Sequence, residues 1–150
     1  MKAKKIFSLL PVTILMLNIT LNSYGQENKN EPWKADQLMQ PPELAKIIND
    51  KKAIQPVVLS IGPGAVIKGS VDIGAAKEDE NIKKLKEQLS KYPKDAVIIL
   101  YCGCCPFEHC PNIRPAFRLM SEMKFTNGKL LNLEHNIKID WMNKGYPVQE

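Results

Sequence analysis

Strand-like apolar runs alternate with helix-like periodic segments along most of this 150-residue chain, and this alternation constrains its fold more than any other feature. Residues 57–61 and 96–101 are rich in β-branched residues, and the second run, AVIILY, is almost wholly apolar. Such runs are typical of parallel strands that are covered on both faces. Strands that alternate with helices form parallel sheets with helices packed on each side. The sequence therefore predicts an α/β fold with an open parallel sheet and helices on both faces.

Apolar residues recur at helical spacing in the segments between and after these runs. The clearest case is 78–92, where Ile82, Leu85 and Leu89 lie three and four residues apart and acidic residues occupy the first turn. The same reasoning predicts further helices at 42–50, 113–123 and 137–144, and shorter strands at 69–76 and 130–133. A single domain accounts for a chain of this length and pattern.

The first 25 residues have the regions of a secretory signal peptide. MKAKK carries three lysines, an interrupted apolar stretch covers 6–21, and the small residues Ser23 and Gly25 suit cleavage before Gln26. We therefore predict a signal peptide at 1–25, a flexible polar leader at 26–36 and an exported protein, periplasmic or secreted if the source is bacterial. A retained membrane anchor is the alternative, although the apolar stretch is short for a hydrocarbon core of ~30 Å.

Much of the formal net charge of +5 belongs to the predicted signal peptide. Removing Lys2, Lys4 and Lys5 leaves 18 basic and 16 acidic residues, which is a net charge of +2. A nearly balanced domain of this kind does not favour a nucleic-acid partner. We also expect no membrane partner once the signal peptide has been cleaved.

All four cysteines lie within nine residues, in the string CGCCPFEHC at 102–110. They are too close together to link distant parts of a domain, so they indicate a local site. The string directly follows the predicted strand at 96–101, and open parallel sheets bind ligands outside the carboxyl ends of their strands. We therefore expect the cysteines to lie in that crevice.

Several local strings resemble the rhodanese-like family. The helix predicted at 42–50 and the strand after it resemble the family's opening, and GSVDIGA resembles a looser form of its "GHIPGA" segment. AVIILYC resembles the strand that delivers the family's active-site cysteine, and the stretch from Phe125 to Val148 resembles its tail, including GYPV. The resemblance covers residues 37–148, which we interpret as a rhodanese-like domain.

This resemblance implies a thiosulfate-type sulfurtransferase or a persulfide carrier. Cys102 would be the catalytic nucleophile, taking sulfur from a small sulfane-sulfur donor and passing it to a thiol acceptor or a redox partner protein. The thiolate is the nucleophile in such chemistry, and backbone N–H groups above a helix start stabilise it. Arg114, at the start of the next predicted helix, would stabilise the anion and fix the loop. The resemblance implies no cofactor.

Three departures from the family's pattern concern this loop and its surroundings. Eleven residues separate Cys102 from Arg114, where the family usually has five, so the loop is enlarged. Ser60-Ile61-Gly62 stands where the family usually has Asp-x-Arg. The third departure is a set of added cysteines: Cys104, Cys105 and Cys110.

The added residues leave three interpretations open. Cys104, Cys105 and Cys110 are redox or resolving thiols that convert a persulfide or sulfenic acid on Cys102 into a disulfide. Alternatively, Cys104, Cys105, His109 and Cys110 bind Cu(I) or Zn(II), although their spacing matches no common zinc pattern. The third interpretation is a structural disulfide in an oxidising compartment, for example Cys102 or Cys104 with Cys110.

Overall fold

The computed structural model describes residues 31–150. Its strands are β1 (Leu38–Met39), β2 (Val57–Ser60), β3 (Val71–Asp72), β4 (Ile98–Tyr101) and β5 (Gly128–Leu131). Its helices are α1 (Pro41–Asn49), α2 (Asp79–Leu89), α3 (Ile113–Glu122) and α4 (Ile137–Asp140), with single 3-10 turns at Ala35–Gln37, Phe107–His109 and Met142–Lys144. The predicted signal peptide, 1–25, and the first part of the predicted leader, 26–30, lie outside the described residues. Within residues 31–150, no helix combines the length and hydropathy needed to cross a membrane.

The five strands form one sheet in which every neighbouring pair is parallel. Their order is β1-β5-β4-β2-β3, so β4 lies at the centre. β4 pairs with β2 from Val57↔Ile98 to Ser60↔Tyr101, which aligns the carboxyl ends of the two strands. The prediction of an open parallel α/β sheet with a central strand at 96–101 is confirmed.

Side chains of β4 alternate between two hydrophobic cores. Ile98 and Leu100 lie in the core that α2 and α3 cover, whereas Ile99 and Tyr101 lie in the core on the side of α1. Each fully buried apolar side chain contributes about 1.5–3 kcal/mol to the free energy of unfolding. The helices supply buried residues to these cores: Leu44 and Ala45 from α1, Leu85 and Leu89 from α2, and Ala116, Phe117 and Met120 from α3. The predicted helices on both faces are therefore confirmed.

Local sequence explains the ends of most helices. α1 begins with Pro41 and Pro42, because the first helical turn needs no intrahelical N–H donors. The helix predicted at 137–144 is divided in the structure, where α4 ends at Asp140 and a 3-10 turn follows Trp141. Trp141 is fully buried with a φ of −126°, which takes it out of the helical conformation. Packing of this one large side chain overrides the helical pattern.

The C-terminal segment packs on the same core as α1. The indole N–H of Trp141 donates to the carbonyl of Pro147 at 2.8 Å. Val148 forms an isolated antiparallel bridge with Ile67, and the ring of Tyr146 lies edge-on to that of Trp141 at 5.2 Å. The tail is therefore tied to the segment that precedes β3.

The packed part of the chain begins before residue 37, where the domain was predicted to start. Trp33 contacts Phe107 and Phe117 edge-to-face, with ring centroids 5.2 and 5.8 Å apart. Glu31 and Trp33, which fall within the predicted leader at 26–36, thus pack on the domain. β1 has no counterpart among the predicted elements, because a two-residue strand is too short to show a periodic pattern.

Candidate active site

Cys102 lies directly after the central strand, at the carboxyl edge of the sheet where the sequence placed it. Its side chain is only 3% exposed and belongs to the core between the sheet, α2 and α3. Gly62, which follows β2, faces the thiol closely, because a Cβ at this position would lie 2.7 Å from Cys102 Sγ. A glycine is therefore required here to leave space beside the sulfur.

Neutral hydrogen-bond donors converge on the Cys102 sulfur. The side-chain amide of Asn112 donates to Sγ at 3.3 Å, and the Cys104 Sγ lies 3.3 Å away. The pKa of Cys102 is lowered from its ordinary value of 9.0 to about 5. The hydrogen bond from the Cys110 thiol is the largest cause, burial opposes it, and the backbone N–H of Cys104 and the Asn112 amide lower the pKa further. Cys102 is therefore a thiolate at neutral pH.

The other three thiols complete a compact cluster. The four Sγ atoms all lie within 4.8 Å of one another, and Cys104 Sγ is 3.3 Å from that of Cys105. Partial desolvation of its sulfur and hydrogen bonds with Cys102 and Cys105 raise the pKa of Cys104 to about 12. The pKa of Cys110 is also raised, first by its hydrogen bond to Cys102 and then by burial. The contacts within the cluster therefore favour the thiolate on Cys102 over Cys104 and Cys110.

The thiol cluster differs from the predicted metal-binding set in one residue. The structure groups Cys102 with Cys104, Cys105 and Cys110, and His109 is not a member of the group. His109 lies exposed at the end of the 3-10 turn Phe107–His109. All four cysteines are free thiols in the structure, so neither of the disulfides considered for Cys110 is formed.

The loop from 103 to 112 is held by the segment between β5 and α4. The backbone N–H of Phe107 donates to the carbonyl of Leu133 at 2.9 Å, and that of Ile137 donates to the carbonyl of Gly103 at 3.0 Å. Phe107 is itself buried in the core beside Trp33. The cysteines are thus carried on a loop that is anchored at both of its ends.

Arg114 lies where the sequence predicted, at the start of α3, but its contacts change its expected role. Its guanidinium forms a salt bridge with Glu31, donates to the carbonyl of Glu108 at 3.3 Å and lies 5.5 Å from the ring centroid of Trp33. These contacts agree with the predicted fixing of the loop. None of them is with Cys102, so the predicted stabilisation of the anion falls to Asn112, Cys110 and the backbone instead.

Asn112 and Gly62 are the two site residues that the sequence analysis missed. The Asn112 side chain is buried and joins the segment before α2 to the segment after β4. Its Oδ1 accepts from the backbone N–H of Lys77 at 2.9 Å, and its amide donates to Cys102. Its position just before α3 was visible in the sequence. Asparagine is common at that position, however, as a cap of the helix itself, and so gave no signal for a thiolate donor.

Comparison with known proteins supports the architecture alone. No protein-family model matches the chain, and no curated protein matches it. Among solved structures, the chain is similar to a cysteine-to-serine variant of EanB in complex with hercynine, with a TM-score of 0.51 and 16% identity. The match covers 76% of this chain and 27% of that one, so this chain spans about a quarter of the length of its neighbour. At this identity the likeness shows a shared fold.

Proposed function

We propose that this protein is an exported, rhodanese-like sulfurtransferase or persulfide carrier that uses Cys102. The observation that carries the proposal is the buried Cys102 sulfur at the carboxyl end of the central strand, on which several hydrogen-bond donors converge. Parallel α/β sheets place their chemistry at this edge. The rhodanese-like strings in the sequence, including the strand AVIILYC, support the same assignment.

In the proposed reaction the Cys102 thiolate attacks the sulfane sulfur of a small donor such as thiosulfate. A bond forms between Cys102 Sγ and that sulfur, and the bond between the sulfane sulfur and the sulfonate sulfur breaks, with its electron pair leaving as sulfite. The product is a persulfide on Cys102, which a thiol acceptor or a redox partner protein then consumes. Asn112 and the backbone N–H of Cys104 hold the sulfur in place, and Arg114 keeps the loop in shape.

The test is the formation of thiocyanate from thiosulfate and cyanide, with mass spectrometry of the alkylated protein to locate the persulfide. We expect activity and a persulfide on Cys102 in the reduced protein, loss of both in Cys102→Ser, and retention of both in Cys105→Ser as the matched control. A reduced protein that shows neither thiocyanate formation nor a persulfide on any cysteine would refute the proposal.

A soft-metal site is the second candidate function, and the four-thiol cluster is the observation that favours it. The Sγ atoms of Cys102, Cys104, Cys105 and Cys110 lie within 4.8 Å of one another. Four sulfurs that each bind a central Zn(II) at 2.3 Å lie roughly 3.8 Å apart, so small movements of the thiols would form such a site. Thiolates also suit Cu(I). In this alternative the domain is a non-enzymatic binding module.

Anaerobic loading of the reduced protein with Cu(I) or Zn(II) tests this alternative. Binding should reach about one equivalent, raise the unfolding temperature and fall sharply in Cys110→Ser. His109→Ala is the matched control, and it should bind the metal as the wild type does, because His109 lies outside the cluster. Retention of less than about a tenth of an equivalent after desalting would exclude the metal site.

A further inference from the structure

The thiols of Cys102 and Cys104 differ in access although they are in contact. Cys102 is buried, whereas Cys104 is exposed, and their Sγ atoms are 3.3 Å apart. A thiol on a partner protein has poor access to the sulfur of Cys102, a residue that is 3% exposed and lies beside Gly62 and Asn112. The thiol that is placed to reach a persulfide on Cys102 therefore belongs to the loop itself.

We propose that Cys104 resolves the Cys102 persulfide, releasing hydrosulfide and forming a Cys102–Cys104 disulfide that a dithiol reductant then reduces through Cys104. This inference rests on the proposed function, because it concerns the fate of the sulfur that Cys102 takes up. In this proposal the protein releases sulfide by a thiol-redox reaction, and its partner is a dithiol that reduces the resulting disulfide.

The contact distance decides which sulfur Cys104 attacks. A persulfide S–S bond is about 2.05 Å long, and a separation of 3.3 Å between the two Sγ atoms leaves no room for a third sulfur on the line between them. Attack on the terminal sulfur would require that arrangement. Attack on Cys102 Sγ itself proceeds across the contact that already exists when the terminal sulfur points to the far side of Sγ, so hydrosulfide is the leaving group and the sulfur is not handed to Cys104.

The step balances in atoms and electrons. Cys104 gives its proton to solvent and attacks Cys102 Sγ, so that a Cys102–Cys104 bond forms. The bond from Cys102 to the terminal sulfur breaks, and its electron pair leaves with that sulfur and its proton as HS⁻. The sulfane sulfur is reduced by two electrons to sulfide, and the two thiols are oxidised to a disulfide.

The same geometry indicates which sulfur of the Cys102–Cys104 disulfide the dithiol attacks. An incoming dithiol reaches the exposed Cys104 sulfur and forms a mixed disulfide with it, and the buried Cys102 departs as a thiolate that accepts from the Asn112 amide. The second thiol of the dithiol then frees Cys104 from the mixed disulfide. Cys105 and Cys110 are less well placed for this cycle, because the close thiol contact of Cys105 is with Cys104 and a disulfide to the buried Cys110 would be out of reach of an external dithiol.

The experiment starts from reduced, metal-stripped, full-length protein. It is loaded with glutathione persulfide at mildly acidic pH, desalted to remove small thiols, and shifted to neutral pH while sulfide is followed with an electrode. Peptide mapping of the alkylated product then locates any disulfide. The wild type, Cys104→Ser and the control His109→Ala are compared, because His109 is an exposed residue of the same loop that lies outside the thiol cluster. The oxidised wild type is finally treated with dithiothreitol or with a monothiol.

We expect the wild type to release about one sulfide per loaded persulfide without added thiol and to carry a Cys102–Cys104 disulfide, which dithiothreitol reduces fully. Cys104→Ser should keep its persulfide and release sulfide at least about tenfold more slowly, because it loses an intramolecular nucleophile, while His109→Ala should match the wild type. Release at the wild-type rate from Cys104→Ser, or a mapped disulfide between Cys102 and Cys110, would overturn the inference.

Two further outcomes separate this inference from the function on which it rests. A persulfide that forms on wild-type Cys102 and persists until an external thiol is added would refute resolution by Cys104 and leave the persulfide carrier intact. A wild-type protein that takes up no sulfur on Cys102 would refute both.

Discussion

Asn112 and Gly62 define the surroundings of the reactive sulfur at the scale of single residues. The thiolate of Cys102 is stabilised by neutral donors, and the cation expected from the sequence, Arg114, is engaged elsewhere. Hydrogen bonds to the charged form favour ionisation as effectively as a nearby positive charge does. The glycine avoids a clash with Sγ, because a Cβ at this position would lie 2.7 Å from it. Both residues therefore act on the chemistry without taking part in it.

Replacing the Asn112 amide tests this account of the thiolate. The rate of alkylation of Cys102 in metal-free protein should rise with pH through a midpoint near 5, because only the thiolate reacts and it forms above its pKa. Asn112→Asp keeps the acceptor for the Lys77 N–H but sets a carboxylate beside the sulfur. The midpoint should therefore move upward by about 1–2 pH units. An unchanged midpoint would mean that Asn112 has no influence on the charge of Cys102.

At the scale of elements, two contacts connect the site to segments that are distant in sequence. Arg114 joins the cysteine loop and α3 to the chain before β1, through Glu31 and Trp33. Tyr101, the last residue of β4, holds the segment before β3 from the opposite face of the sheet. Arg114 and Tyr101 thus support the site from opposite faces of the sheet.

The Arg114→Ala variant tests whether Arg114 only holds the cysteine loop or also stabilises the Cys102 thiolate. It removes a partly buried salt bridge and two hydrogen bonds to the Glu108 carbonyl, so the free energy of unfolding should fall by about 1–3 kcal/mol. The pH midpoint of Cys102 alkylation should stay where it is, because the contacts of Arg114 do not include that sulfur. Urea unfolding and alkylation kinetics measure the two effects, with the exposed Arg118→Ala on the same helix as control. A rise in the midpoint would instead show that Arg114 stabilises the Cys102 thiolate, as the sequence predicted.

Tyr101→Phe tests the support on the other face. The buried Tyr101 hydroxyl accepts from the backbone N–H groups of Val66 at 2.9 Å and Ile67 at 3.3 Å, and lies 3.1 Å from the hydroxyl of Ser70. Removing it leaves buried donors unpaired, which should cost about 1–3 kcal/mol in urea unfolding. Tyr92→Phe, which loses a hydroxyl bonded to Gln88 on α2, serves as the control. Equal stabilities of the two variants would contradict this assignment.

The sequence predicted those elements whose pattern is set by burial, and it was less informative about the site. Helices such as α2 and the strand at 96–101 follow from periodicity, because each must bury one face or both. β1 is too short to have a period, and the division at Trp141 arises from tertiary packing. The partners of Cys102 depend on how a ten-residue loop returns to α3, and no local rule describes that path. For this reason the position of Cys102 at the end of the central strand was predicted, whereas its contact with Asn112 was not.

On the scale of the whole molecule, both ends of the described residues, 31–150, pack on the domain. The segment after residue 31 lies on the cysteine loop, and the C-terminal tail lies on the opposite core. The preceding residues include the segment that we interpret as a signal peptide from its lysines and apolar stretch. The proposal that this protein is exported concerns that segment alone.

Expression of the full chain in a bacterium with a periplasm checks the export proposal. The periplasmic fraction should contain a protein that begins at Gln26 and has 125 residues, as determined by intact mass. Gly25→Trp should block this cleavage, because signal peptidases accept small residues before the cut. Recovery of the uncleaved chain from the cytosol would contradict the proposal.

The alternation of side chains along the central strand has an evolutionary consequence. Ile98, Leu100 and Cys102 share one layer, while Ile99 and Tyr101 share the other. Substitutions that repack the layer around α1 fall on the face of the sheet opposite the Cys102 side chain, and a replacement for the loop from 103 to 112 must keep its backbone hydrogen bonds to Leu133 and Ile137 of that layer. The scaffold is therefore well suited to acquiring a new reaction by loop grafting, either in natural descent or in the laboratory.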